Sequence, residues 1–242
     1  MRALLAGLGL TLTLIAVAAK ADTHPVAAEA RAGREAFVET FRRTGTVQHG
    51  MLAPHRARVE AALSAAPDPA ERAELLVEHG QLTRLASQFD GARAAFERAV
   101  AEAGRARRPD LGFEAAIALA RLHVTGTRDY DAAGTALADA TSAAGPAPGR
   151  KQQYALASFG SELLGARGEL ALGLVSAARA LGSAETPVDS FYAQFGLADL
   201  FLALANRCDY EPLYEECLKA AGAADRAYDR AAAVAESAGW PA

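Results

Sequence analysis

Five histidines, two cysteines and 29 acids are the chain's candidates for chemistry, and their spacing decides what each can do. His24, His49, His55, His79 and His123 include no i,i+4 pair and no pair at zinc-site spacing. His49 and His55 lie six positions apart across a Gly-Met-Leu-Ala-Pro loop, and Glu78-His79 lacks the second histidine of a zincin helix. No glycine-rich loop ends in Lys-Ser or Lys-Thr to cradle phosphate, and no Gly-x-Ser-x-Gly turn presents a nucleophile. Phe159-Gly160-Ser161 falls inside a helical pattern and reads as packing. Asp129 and Asp131 open a helix, where acids are favoured by the macrodipole. The basic cluster Arg105, Arg107, Arg108 follows Gly104, where cations suit a helix C-terminus. Nucleophile, base and oxyanion donors cannot be assembled, so the sequence predicts no catalytic residues, no metal and no cofactor.

Cys208 and Cys217 are the only cysteines. In an exported protein a disulfide is permitted, and closing that loop would contribute roughly 2.7 kcal/mol in the chain-entropy picture. Helix geometry argues the other way. A helix starting near Tyr210 carries Cys217 about 10 Å up its axis, beyond the Cα separation of about 7 Å that a bridge tolerates. Both alternatives stay open, and either way the role is structural.

The elements that position these residues follow from composition. Of 242 residues, 62 are Ala, roughly half of the 51% apolar fraction, and aromatics are only 7%. Ala has the best helix propensity and loses no side-chain entropy in a helix. The chain therefore reads as all-α, with helices that approach closely through small side chains. A β-sandwich or barrel would need more β-branched and aromatic residues. A net charge of −4 argues against nucleic-acid binding by a basic face.

The first 21 residues read as an address. Arg2 precedes 17 residues, Ala3 to Ala19, that are apolar apart from two Thr, and Ala19 and Ala21 supply small residues for cleavage after Ala21. The run is slightly short of the about 20 residues that span a bilayer. No cysteine lies nearby for lipidation. Cleavage would leave 23 basic and 29 acidic groups, net −6, and no stable membrane anchor. The expected location is the periplasm or the cell exterior.

A period of about 40 organises the rest. Phe89, Tyr130, Leu170 and Tyr210 recur at intervals of 41, 40 and 40. Three positions later come Ala92, Ala133, Gly173 and Leu213; seven later, Phe96, Leu137, Ala177 and Cys217; ten later, Ala in every unit (Ala99, Ala140, Ala180, Ala220). Offsets of 3, 7 and 10 trace one helical stripe. Gly104, Gly145, Gly182 and Gly222 then stand where C-terminal stops are expected. Asp68-Pro69 and Thr186-Pro187 open preceding helices with an N-cap and a first-turn proline. The spacing predicts helix pairs over 70–86 with 89–103, 111–124 with 130–144, 151–166 with 169–181, and 188–206 with 210–221. Residues 22–69 hold a degenerate pair, 29–43 and 54–65. Residues 222–242 hold a capping helix over 223–238.

These residues resemble the tetratricopeptide repeat family. Phe89, Ala92, Phe96 and Ala99 match its turn aromatic and the small, large aromatic and small positions that follow; Tyr130, Ala133, Leu137 and Ala140 match with one substitution. The period exceeds the family's usual 34, and Ala177, Cys217 and Leu213 depart from its pattern in the later units. The resemblance covers residues 70–221. It implies a right-handed α-solenoid in which the first helix of each pair lines a concave face that binds a protein or peptide. Mapped through the turn alignment, the implied face carries Glu74, Gln81, Arg84, Ser158, Glu162 and Asn206. One residue of slip in that alignment rotates a helix by about 100°. The expected function is a non-catalytic interaction scaffold. The rivals are an enzyme or small-molecule binder with an inter-helix pocket, and an accessory subunit of an envelope complex.

Overall fold

The computed structural model describes residues 24–46, 49–207 and 214–240. Within them lie ten α-helices and no strand: α1 (Pro25–Thr44), α2 (Ala53–Ala65), α3 (Pro69–Leu85), α4 (Phe89–Ala106), α5 (Pro109–Leu122), α6 (Tyr130–Ala144), α7 (Arg150–Ala166), α8 (Leu170–Ser183), α9 (Pro187–Ala205) and α10 (Tyr214–Ser237). Residues 1–21, expected to be a leader, and Cys208, Tyr210 and Leu213 lie outside the described residues.

Local chemistry explains the starts. Asp68 accepts from the Ala70 N–H ahead of α3, Asp129 from Ala132 ahead of α6, and Thr186 and Asp189 cap α9 reciprocally. Proline occupies the first turn of α1, α2, α3, α5 and α9, where its missing N–H has no helical partner to lose. The stops differ from expectation. Of the four expected stops only Gly145 ends a helix with positive φ; Gly104 and Gly182 lie inside α4 and α8, and Gly222 lies inside α10, while Gly45 ends α1 in the left-handed region. The pieces 210–221 and 223–238 are thus one rod from Tyr214 to Ser237. Gly costs a helix interior only about 1 kcal/mol relative to Ala, which the favourable formers around Gly222 outweigh.

The turn inside the pairs α3–α4, α5–α6 and α7–α8 repeats. Ser87, Arg128 and Gly168 all adopt left-handed backbone, at φ 60°, 55° and 80°, two residues before Phe89, Tyr130 and Leu170. In each case the next N–H returns to a carbonyl in the last turn of the preceding helix: Gln88 to Thr83, Asp129 to His123, Glu169 to Leu164. The middle return spans one residue more, because α5 ends in a π turn over His123–Thr127. That inserted residue accounts for the 41-residue interval.

The helices pack neighbour to neighbour, most extensively as α3–α4, α5–α6, α7–α8 and α9–α10. The odd-numbered helices also touch one another in series, α1 to α3, α3 to α5, α5 to α7 and α7 to α9. Among the described residues the even-numbered helices make no comparable contacts with each other. Much of the predicted stripe is buried, namely Ala99, Ala140, Ala180 and Ala220 with Ala92, Ala133, Phe96 and Ala177, whereas Tyr130, Leu137 and Cys217 are half-buried and Phe89 is 39% exposed. Close approach is literal at Gly80, where a Cβ would stand 2.5 Å from the Phe96 ring. At the far end Phe191, Phe195, Tyr228 and Trp240 form edge and stacked ring contacts, and the Arg42 guanidinium of α1 lies 5.6 Å from the Trp240 ring centre. The first helix therefore meets the stretch that follows the last one. By length and composition α9 could cross a membrane; here it packs against α10, α8 and α7.

Candidate functional site

Among the described residues the buried charged side chains, Arg34, Glu78 and Arg121, all lie on odd helices. Arg31 and Arg34 come from α1, Glu74, Glu78 and Arg84 from α3, Glu114 and Arg121 from α5, and Glu162 from α7. On α3 the spacings 74, 78, 81 and 85 follow one face; on α5, 114, 118 and 121 do the same. These faces meet where the odd helices touch, so the polar groups are drawn out of water and must satisfy one another.

One half of the network is saturated. Glu78 is fully buried and accepts from Arg31 Nε at 2.8 Å, Arg34 Nε at 3.0 Å and Arg34 Nη2 at 3.3 Å. Arg31 also lies 3.9 Å from Glu114, and Glu74 accepts from the His24 backbone N–H. Three carboxylates thus face two guanidiniums. Burial, offset in part by Arg31 and reinforced by Glu78, pushes the Glu114 carboxyl up to about 7. Burial raises Glu74 in the same direction.

The other half is short of acceptors. Arg84 donates to the Gln81 amide oxygen at 3.2 and 3.3 Å, and among the described residues it has no carboxylate within ion-pair distance. Arg121 reaches Glu162 Oε1 at 3.5 Å, while its buried Nε has no acceptor. Burial and the neighbouring charges of Arg121 and Arg34 bring the Arg84 guanidinium down to about 10, which leaves it cationic at neutral pH. Burial raises the Glu162 carboxyl, against the pull of Arg121 and Arg84.

The residues expected on the concave face divide accordingly. Glu74, Gln81, Arg84 and Glu162 all belong to the network. Ser158 is buried in α7, its backbone oxygen accepting from Ser161 Oγ at 2.8 Å. Asn206 is exposed at the C-terminus of α9 and stands apart. Arg31, Arg34, Glu78, Glu114 and Arg121 are network members that the turn alignment misses. For the middle pair the reason is the π turn: counting back from Tyr130 as from Phe89 gives Leu122 and Ala115, one residue past Arg121 and Glu114. Counting forward by forty from Gln81 and Glu74 gives Arg121 and Glu114 directly.

Elsewhere the chemistry is already engaged. Arg108 is held by both oxygens of Asp110 at 2.9 and 2.6 Å, and Arg105 by Glu102 at 2.6 Å. A cleft of about 470 Å³ beside them is lined largely by Val100, Ala103, Ala116 and Ala143, with Arg107 and Asp139 at its polar part. Cys217 in α10 is disulfide-bonded; Cys208, the only other cysteine, lies outside the described residues. No family model, curated protein or solved structure matches this chain.

Proposed function

We propose that the chain is an exported, tetratricopeptide-like scaffold of stacked helix pairs that binds a protein or peptide segment along its odd-numbered helices, without catalysing a reaction. The observation that carries this reading is the one-sided contact pattern. Odd helices touch in series while, among the described residues, even helices make no comparable contacts, as expected of a right-handed superhelix whose odd layer is the inside of the curve. The repeated left-handed turn before Phe89, Tyr130 and Leu170 and the meeting of Arg42 with Trp240 fit the same curvature. Polar groups gathered on the inner layer give such a groove hydrogen-bonding specificity, since a buried donor or acceptor left unpaired discriminates strongly against the wrong ligand.

The test is site-specific photo-cross-linking in an envelope extract. A cross-linker at Gln81, on the inner layer, is expected to capture a discrete partner, and one at the exposed Arg98 of α4 is expected to capture none. Equal capture from both positions, or from neither, would reject the groove.

A further inference from the structure

The four arginines of the odd-helix face are not equivalent. Arg31 and Arg34 converge on one carboxylate that accepts three hydrogen bonds from them. Among the described residues Arg84 has only a neutral amide. Arg121, 6% exposed, leaves Nε buried without an acceptor and reaches Glu162 at a long 3.5 Å. Thr83, adjacent to Arg84, carries a buried Oγ1 that has no partner either. The two guanidiniums repel each other and both feel the charge of one carboxylate, Glu162, which lies within ion-pair distance of Arg121 alone and whose side chain is 21% exposed.

Burying cations without full pairing is costly, and scaffold packing alone gives no reason to retain it. The same chain shows at Glu78 how it satisfies buried arginines when the purpose is structural. We infer that Arg84 and Arg121 form a binding site for a carboxylate-bearing ligand, and that Glu162 is a resident counter-ion which the ligand displaces. The ligand class follows from the occupant: a carboxylate oxygen already sits on Arg121, and a guanidinium fork accepts a carboxylate in two parallel hydrogen bonds. This site lies within, and rests on, the groove proposed above. The carboxylate could be an acidic side chain of a peptide or a small organic acid, and the two are separable by experiment.

The experiment is calorimetric titration of the full chain with hexaglutamate peptide in one arm and citrate in the other. It compares the unmodified protein with Glu162→Gln and Arg84→Gln. Removing the competing carboxylate is expected to tighten binding by about tenfold, the worth of one charge-assisted hydrogen bond. Arg84→Gln is expected to weaken it by at least about tenfold. The arm with the tighter binding identifies the source of the carboxylate. Unchanged or weaker binding in Glu162→Gln, or binding of neither probe by the unmodified protein, overturns the proposal. Should Glu162→Gln fail to fold, retained affinity in Arg84→Gln overturns it alone. Partner capture at Gln81 that persists in both variants would preserve the groove and reject the carboxylate site; loss of capture selectivity between Gln81 and Arg98 would reject the groove itself.

Discussion

The two halves of the odd-helix network use the same residue types to opposite ends. Around Glu78, three hydrogen bonds from two arginines close on a carboxylate with no solvent exposure, which ties α1 to α3. Around Arg84 and Arg121, one cation has an amide and the other an acid at 3.5 Å, and the Arg121 Nε donor is left over. A buried ion pair adds little to stability relative to an apolar pair, but stripping one partner from it exposes the full desolvation cost of the other. The contrast therefore separates a group that holds the fold from groups held ready for something else.

Mutating each half should show that difference most plainly. Glu78→Gln leaves Arg34 buried without its counter-charge and is expected to destabilise by about 3–5 kcal/mol in urea unfolding. Arg84→Met removes an under-paired, partly buried cation while keeping its apolar stem, and stability is expected to stay within about 1 kcal/mol of the parent. Equal losses from both substitutions would erase the distinction.

Next in size is the close contact that supports α3 beside the network. Gly80→Ala pushes a methyl against the Phe96 ring, itself fully buried, and should cost about 1–3 kcal/mol by thermal melting. A neutral result would mean that α3 and α4 can shift apart without disturbing Arg84.

The acidic surplus of the saturated half has its own signature in pH. Glu114 titrates near 7 in the folded protein, above its ordinary value of 4.5, so the folded state holds the proton more tightly. Its contribution is complete below about pH 4.5 and is lost as pH rises through about 7. The expected loss is of order 1–3 kcal/mol across that window, and Glu114→Gln should flatten the curve. A parent curve that rises over the same range would show that Glu114 is better paired than its 3.9 Å contact with Arg31 indicates. The smallest effect is expected at the far end, where Tyr228→Phe removes a 2.6 Å hydrogen bond to Asp199 and should cost about 1 kcal/mol.

Much of the architecture is legible in the sequence because it depends on local signals. Asp68-Pro69 and Thr186-Pro187 cap helices as their types require, and the Ala stripe from Ala99 to Ala220 is buried where its spacing places it. Glycine stops are less legible. Gly104, Gly182 and Gly222 continue their helices because neighbouring contacts outweigh a modest propensity penalty. Half of the site is legible through Glu74, Gln81, Arg84 and Glu162. The rest is hidden for two reasons. A π turn shifts α5 by one residue, and Glu78 looks like any helical surface acid until α1 brings two arginines over it. Pairing over 44 and 47 positions between different helices leaves no local trace.

The most direct test watches the four guanidiniums at once. In a 15N spectrum of arginine Nε–H groups, hexaglutamate titrated into the full chain should shift Arg84 and Arg121 progressively and leave Arg31 and Arg34 in place. Shifts at Arg31 and Arg34, or none at Arg84 and Arg121 with the peptide in large excess, would contradict the division between a locked half and an open one.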